Sequence, residues 1–133
     1  MMRDIEFPEI EEVCLAIAQE SNEPDAEWYV FIINQSSQKL SNIMVASKGY
    51  GIKNKESVKT STLRHFIEEL KPKSFKKVEI IKEEVFGINN EYWLSFYKNG
   101  KLFDRKFIFL PEVVQAKNFT NIPILNKNGI LHP

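Results

Sequence analysis

The chain has 133 residues, with 18 basic and 18 acidic side chains, one Cys, six Pro and five Gly. That length supports one domain with its own core, and a content of 43% hydrophobic and 12% aromatic residues excludes a disordered or low-complexity chain. No apolar run approaches the roughly 18 residues of a membrane-spanning helix. The start, Met1 to Glu6, lacks the apolar stretch of a secretory signal, and the single Cys14 fits a reducing compartment, so the expected location is the cytoplasm.

Charge is balanced overall but not locally. Residues 1–27 carry nine acids and one base, whereas Lys39 to Lys77 holds ten bases and three acids. The simplest reading is that the acidic N-terminal segment lies against the basic middle. The alternative is an exposed basic patch for a polyanion.

In chain order, residues 8–19 come first and are ambiguous. Ile10, Val13, Cys14 and Ile17 have helical spacing, yet Val13, Leu15 and Ile17 alternate with smaller residues as a strand would. Trp28 to Ile33 is apolar on both faces and reads as a central strand. Asn34 to Lys39 is a turn or short loop. Ile43 to Ala46 is the return strand, which Ser47-Lys48-Gly49-Tyr50-Gly51 is expected to break, with the glycines accepting positive φ.

Residues 61–70 are again ambiguous. Leu63, Phe66, Ile67 and Leu70 share a helical face after possible caps at Thr60-Ser61-Thr62, but a strand leading into Lys71-Pro72-Lys73-Ser74 fits equally. Val78 to Ile81 and Val85-Phe86 are strand-like. The clearest local signal follows: Asn99-Gly100 joins the aromatic-rich runs Glu91–Lys98 and Lys101–Leu110. A type I′ turn needs positive φ at both central residues, which Asn-Gly supplies. The two-residue loop sets Phe96 against Phe103, Leu94 against Arg105 and Tyr92 against Phe107, giving one apolar and one mixed face. Arg105 is the exception on the apolar face.

Extended segments near 12–19, 28–34, 41–47, 60–70, 75–85, 91–98 and 101–110, separated by turn signals, predict an immunoglobulin-like antiparallel β-sandwich of about seven strands without the disulfide. The alternative is an α+β fold, with helices at 8–19 and 61–70 packed on one antiparallel sheet. Residues 1–133 form a single domain in either case, with 111–133 a less regular tail packed on it.

No catalytic constellation stands out. His65 and His132 lack metal-ligand spacing, and Cys14 sits in an apolar run that favours a buried, inert thiol. Glu68, Glu69, Glu83, Glu84, Glu91 and Asp104 are acid–base candidates by type only. Gly49-Tyr50-Gly51 is too short a match for a phosphate cradle. Neither a metal nor a cofactor is expected. The one chemical pattern with several members is basic: Lys48, Lys53, Lys55, Lys59, Arg64, Lys71, Lys73, Lys76 and Lys77 interleave with Tyr50, Phe66 and Phe75. Aromatic platforms beside cations grip single-stranded nucleic acid. Lysine predominates over arginine, however, which favours a solubilising role.

Val45–Gly51, Lys59–Phe66 and Glu84–Trp93 together resemble a family of short bacterial proteins of about this whole length. Some of these carry the label phenylalanyl-tRNA synthetase subunit alpha. The resemblance implies at most an accessory or mistaken association with that enzyme. A class II synthetase catalytic domain is much longer and holds ATP with arginines, one of them ending a Gly-rich strand. The three arginines here, Arg3, Arg64 and Arg105, follow no such strand. The expectation is therefore a small domain that binds, with protein as the first partner class and RNA or tRNA as the second.

Overall fold

The computed structural model describes residues 12–133. Ten strands follow in order: β1 (Val13–Gln19), β2 (Trp28–Asn34), β3 (Leu40–Lys53), β4 (Glu56–Lys59), β5 (Leu63–Leu70), β6 (Ser74–Ile80), β7 (Asn89–Lys98), β8 (Lys101–Phe109), β9 (Thr120–Ile122) and β10 (Lys127–His132). They form two antiparallel sheets. Sheet A has the order β6-β2-β1-β10-β9. In sheet B, β3 pairs with β7 along one edge and with β5 then β4 along the other, and β8 extends the sheet beyond β7.

The fold is a β-sandwich. Inward side chains of both sheets, among them Leu15, Ile17, Val30, Ile32, Ile43, Val45, Tyr92, Leu94, Phe96 and Phe107, form one buried core. A smaller apolar cluster lies on the opposite face of sheet A, where Cys14, Ala16 and Ala18 meet Phe31, Ile33, Ile122 and Leu125. Both faces of β1 and β2 are therefore buried, which is why their sequences run apolar without alternation.

The α+β alternative is overturned: no α-helix occurs among the described residues, and the stretches that fit helical spacing are β1 and β5. Pairing decides β5. Leu63 to Leu70 lies along Ser47 to Leu40, with His65 and Ile67 turned toward the core and Arg64, Phe66 and Glu68 away from it. A tertiary edge thus overrides the local period. The part of the ambiguous N-terminal stretch that precedes residue 12 lies outside the described residues.

Three other expectations are corrected. The glycines at 49 and 51 do not break β3, which runs straight through them without a positive φ at either. Their role is close packing: a Cβ on Gly49 would lie 3.1 Å from both Ile88 Cδ1 and Thr60 Cγ2. Val85-Phe86 is not strand; Glu83–Val85 is a short 3-10 turn that follows the end of β6 at Ile80. The stretch expected as a less regular tail packed on the domain does pack there, but partly as strand: it supplies β9 and β10, and β10 pairs directly with β1. Gly129 permits that pairing, because a Cβ there would collide with the Ile17 carbonyl oxygen.

The hairpin keeps the register read from the sequence. Phe96 faces Phe103, Leu94 faces Arg105 and Tyr92 faces Phe107, with positive φ at Asn99 and Gly100. At the other end, buried Asn34 ties two turns together. Its Nδ2 donates to the carbonyls of Gln38, Leu70 and Lys71, while its Oδ1 accepts from the Ser36 amide and hydroxyl.

Candidate functional site

Strand alternation in sheet B places every second residue on the face turned away from the core. Cross-strand register then aligns these residues in rows: Phe66–Met44–Ser95–Asp104 and, beside it, Arg64–Ala46–Trp93–Lys106. Tyr97 and Leu102 form the next pair. The resulting surface is unusually apolar for an open sheet face. Met44 is 43% exposed, Phe66 59%, Trp93 47%, Tyr97 39% and Leu102 58%. Single exposed apolar residues need no explanation, but a contiguous group of large ones makes this face a candidate interaction surface.

Charge on this face is nearly balanced, and Lys48 is paired with Glu91. Lys48 Nζ lies 3.9 Å from a Glu91 carboxylate oxygen and 5.9 Å from the Tyr50 ring centroid. Lys106 Nζ sits 5.7 Å from the Trp93 ring centroid. Glu91 shares a row with Lys48, and Asp104 lies one row from Lys106. Such a face offers rings and methyl groups with no unbroken phosphate track.

A second feature lies where one edge of sheet B approaches β6. Glu79 leaves β6 and reaches across to sheet B, where Oε1 accepts from Ser47 Oγ at 2.9 Å and Oε2 from the Tyr92 hydroxyl at 2.9 Å. His65 Nε2 lies 2.6 Å from Glu79 Oε1. Burial, then the Glu79 charge beside it, pushes the Tyr92 phenol far above its ordinary range. The network borders a cleft of about 320 Å³ whose walls include Gly49, Thr60, Leu63, Ile81 and Val85. Its chemistry is that of a polar rivet: one carboxylate satisfies three donors from sheet B and joins the two layers.

The nine basic residues singled out in the sequence do not converge. Lys48 and Arg64 stand on the outer face of sheet B, and Lys59 lies opposite Tyr50 at its end. Lys53 donates to the Glu84 carbonyl at 3.0 Å, and Lys55 occupies the β3–β4 turn with positive φ. Lys71 and Lys73 lie in the β5–β6 turn, where Lys73 donates to the Gln35 carbonyl. Lys76 and Lys77 belong to the other sheet. Lys77 is ion-paired with Glu20, with Nζ 4.2 Å from the Tyr29 ring centroid. Acids of the N-terminal segment also reach Lys82 and Lys98, through Glu27 and Glu12 at 3.9 Å each. Of the N-terminal segment's acids, Glu20 meets one base of the basic middle, Lys77, while Asp4, Glu6, Glu9 and Glu11 lie outside the described residues.

Cys14 is fully buried, and burial pushes its thiol up to about 11. Among the described residues, no three His, Cys, Asp or Glu side chains are placed to hold a metal ion, and no helix is long and apolar enough to cross a membrane. Sequence reasoning missed Glu79. The available signal was a lone acid in the apolar run Val78-Glu79-Ile80-Ile81, with Ser47 equally out of place in β3. No family model, curated protein or solved structure matches the chain.

Proposed function

We propose that this chain is a small cytoplasmic binding domain that docks a protein on the outer face of sheet B. The observation that carries the reading is the group Phe66, Met44, Trp93, Tyr97 and Leu102, all large and all at least 39% exposed on neighbouring strands. Aromatic and Met side chains on a nearly neutral surface suit an apolar protein partner with a polar rim. The same rings beside Arg64 and Lys106 motivate the RNA reading, but the pairing of Lys48 with Glu91 and the scatter of the other bases weigh against it.

Within this reading the sandwich is immunoglobulin-like. Its order supports that assignment: β1-β2-β6 in one layer and β3-β7-β8 in the other match strands A-B-E and C-F-G of that architecture. On this alignment β4 and β5 line the edge of the third strand, and β9 and β10 extend the first sheet.

The test is affinity capture from cell extract at gentle salt, with the wild-type chain beside the double variant Phe66→Ser/Trp93→Ser. The reading expects a stoichiometric protein retained by the wild type and lost by the variant, with unchanged far-ultraviolet circular dichroism. Equal capture by both would refute it. Retention of tRNA that falls steeply with salt would favour the polyanion reading instead.

A further inference from the structure

We infer that β8 is a self-complementary edge through which two copies of this chain pair into one continuous sheet. Strand β8 runs for nine residues at the margin of sheet B, and among the described residues only β7 pairs with it. Its register with β7 is unbroken from Lys101 to Phe109, so no bulge twists the edge away. It also contains no Pro. A straight edge of this length is a template for another strand.

The turn fixes which backbone groups of β8 are not bonded to β7. Lys98 and Lys101 flank a two-residue loop and form a hydrogen-bonded pair, so odd-numbered residues of β8 exchange bonds with β7. The N–H and C=O groups of Leu102, Asp104, Lys106 and Ile108 consequently point away from it. Four residues with the same alternation are what a second antiparallel strand requires.

The side chains then select the register. A two-fold axis perpendicular to the sheet must pair β8 residues of equal parity, and centring it on Arg105 sets Asp104 against Lys106 of the second copy. The symmetry makes that opposite-charge pair twice. It also sets Leu102 against Ile108 twice, and every such pair joins backbone groups left free by β7. Shifting the axis to residue 104 or 106 would oppose Asp to Asp or Lys to Lys, which is unfavourable. Arg105 lies on the axis and so faces Arg105 of the second copy, but on the core side of the sheet, where its charge is already engaged: the guanidinium sits 4.5 Å from the Phe107 ring centroid on the same strand and donates to the Pro133 main-chain oxygen beyond β10. Pairing in this register would also carry the apolar outer face of sheet B across the axis, through Leu102.

The test is sedimentation equilibrium of the full chain over a concentration series reaching the millimolar range. The inference expects a reversible monomer–dimer equilibrium. Lys106→Asp opposes two acids twice and should weaken the dimer by roughly tenfold or more. Asp104→Lys should weaken it similarly, and the double exchange Asp104→Lys/Lys106→Asp should restore it. A chain that stays monomeric throughout would overturn the inference. So would a dimer indifferent to all three variants, because the contact would then lie elsewhere. Loss of protein capture by the Phe66→Ser/Trp93→Ser variant is a separate result, so edge pairing and face binding fail independently.

Discussion

The two sheets solve the same packing problem differently. In sheet A, β1 and β2 are covered on both faces, so Cys14, Ala16, Ala18, Phe31 and Ile33 are as buried as the residues between the layers. In sheet B, β7 alternates: Tyr92, Leu94 and Phe96 are buried, while Trp93 and Tyr97 are open. An apolar residue in β1 or β2 is therefore explained by stability alone. A large apolar residue on the outer face of sheet B is not, and the proposed docking of a protein there rests on that asymmetry.

The sharpest way to break this comparison is to truncate one residue from each class. Ile32→Ala removes a fully buried side chain from the main core and should cost about 2–5 kcal/mol in urea unfolding. Met44→Ala, in the neighbouring sheet but open to solvent, should stay within about 0.5 kcal/mol of the wild type. Comparable losses at both sites would mean that the outer face of sheet B is already covered.

Titration separates the two-faced sheet in another way. Burial raises the Cys14 thiol from an ordinary 9.0 to about 11. Between those values the folded chain keeps a proton that the unfolded chain has released. Stability contributed by this group is therefore present below about pH 9 and lost as pH rises toward 11, by about 2–3 kcal/mol in all. Cys14→Ala should show a correspondingly shallower alkaline decline in denaturation experiments. Identical pH slopes for the two proteins would contradict the burial of that face.

A smaller effect is expected where the sheets are riveted. Glu79→Gln turns an amide donor toward one of the three groups that now donate to the carboxylate, and should cost about 1–3 kcal/mol. Smaller still, Gly100→Ala forces a side chain onto φ +74 in the hairpin turn and should cost about 1 kcal/mol. Both are read from the urea midpoint at constant slope.

Legibility in the sequence follows the same contrast. The register of the β7–β8 hairpin could be read from the sequence, because the Asn-Gly turn fixes it locally and the outer face alternates with the inner. Long continuous β3 could not, because Gly49 and Gly51 look like punctuation until Ile88, far along the chain, is seen packed on them. The strands β9 and β10 were hidden for a related reason: both are short, β9 pairs only with β10 among the described residues, and β10's partner β1 lies more than a hundred residues away. Half of the candidate surface was visible as the mixed face of the hairpin. Phe66 and Met44 joined it only through pairing across β3, and the helical spacing around Phe66 masked that. The Glu79 network joins side chains of both sheets, so the lone acid in the run Val78–Ile81 hinted at a buried carboxylate while its partners Ser47, His65 and Tyr92 stayed hidden.

The central claim, that the outer face of sheet B is an open docking surface, can be put to Trp93 directly. Trp28→Phe leaves Trp93 as the single indole, because the chain has only two tryptophans. In the isolated protein the account predicts solvent-like emission freely quenched by acrylamide, then a blue shift and protection when the captured partner is added. Emission already blue and protected in the isolated chain, or unchanged on partner binding, would contradict it.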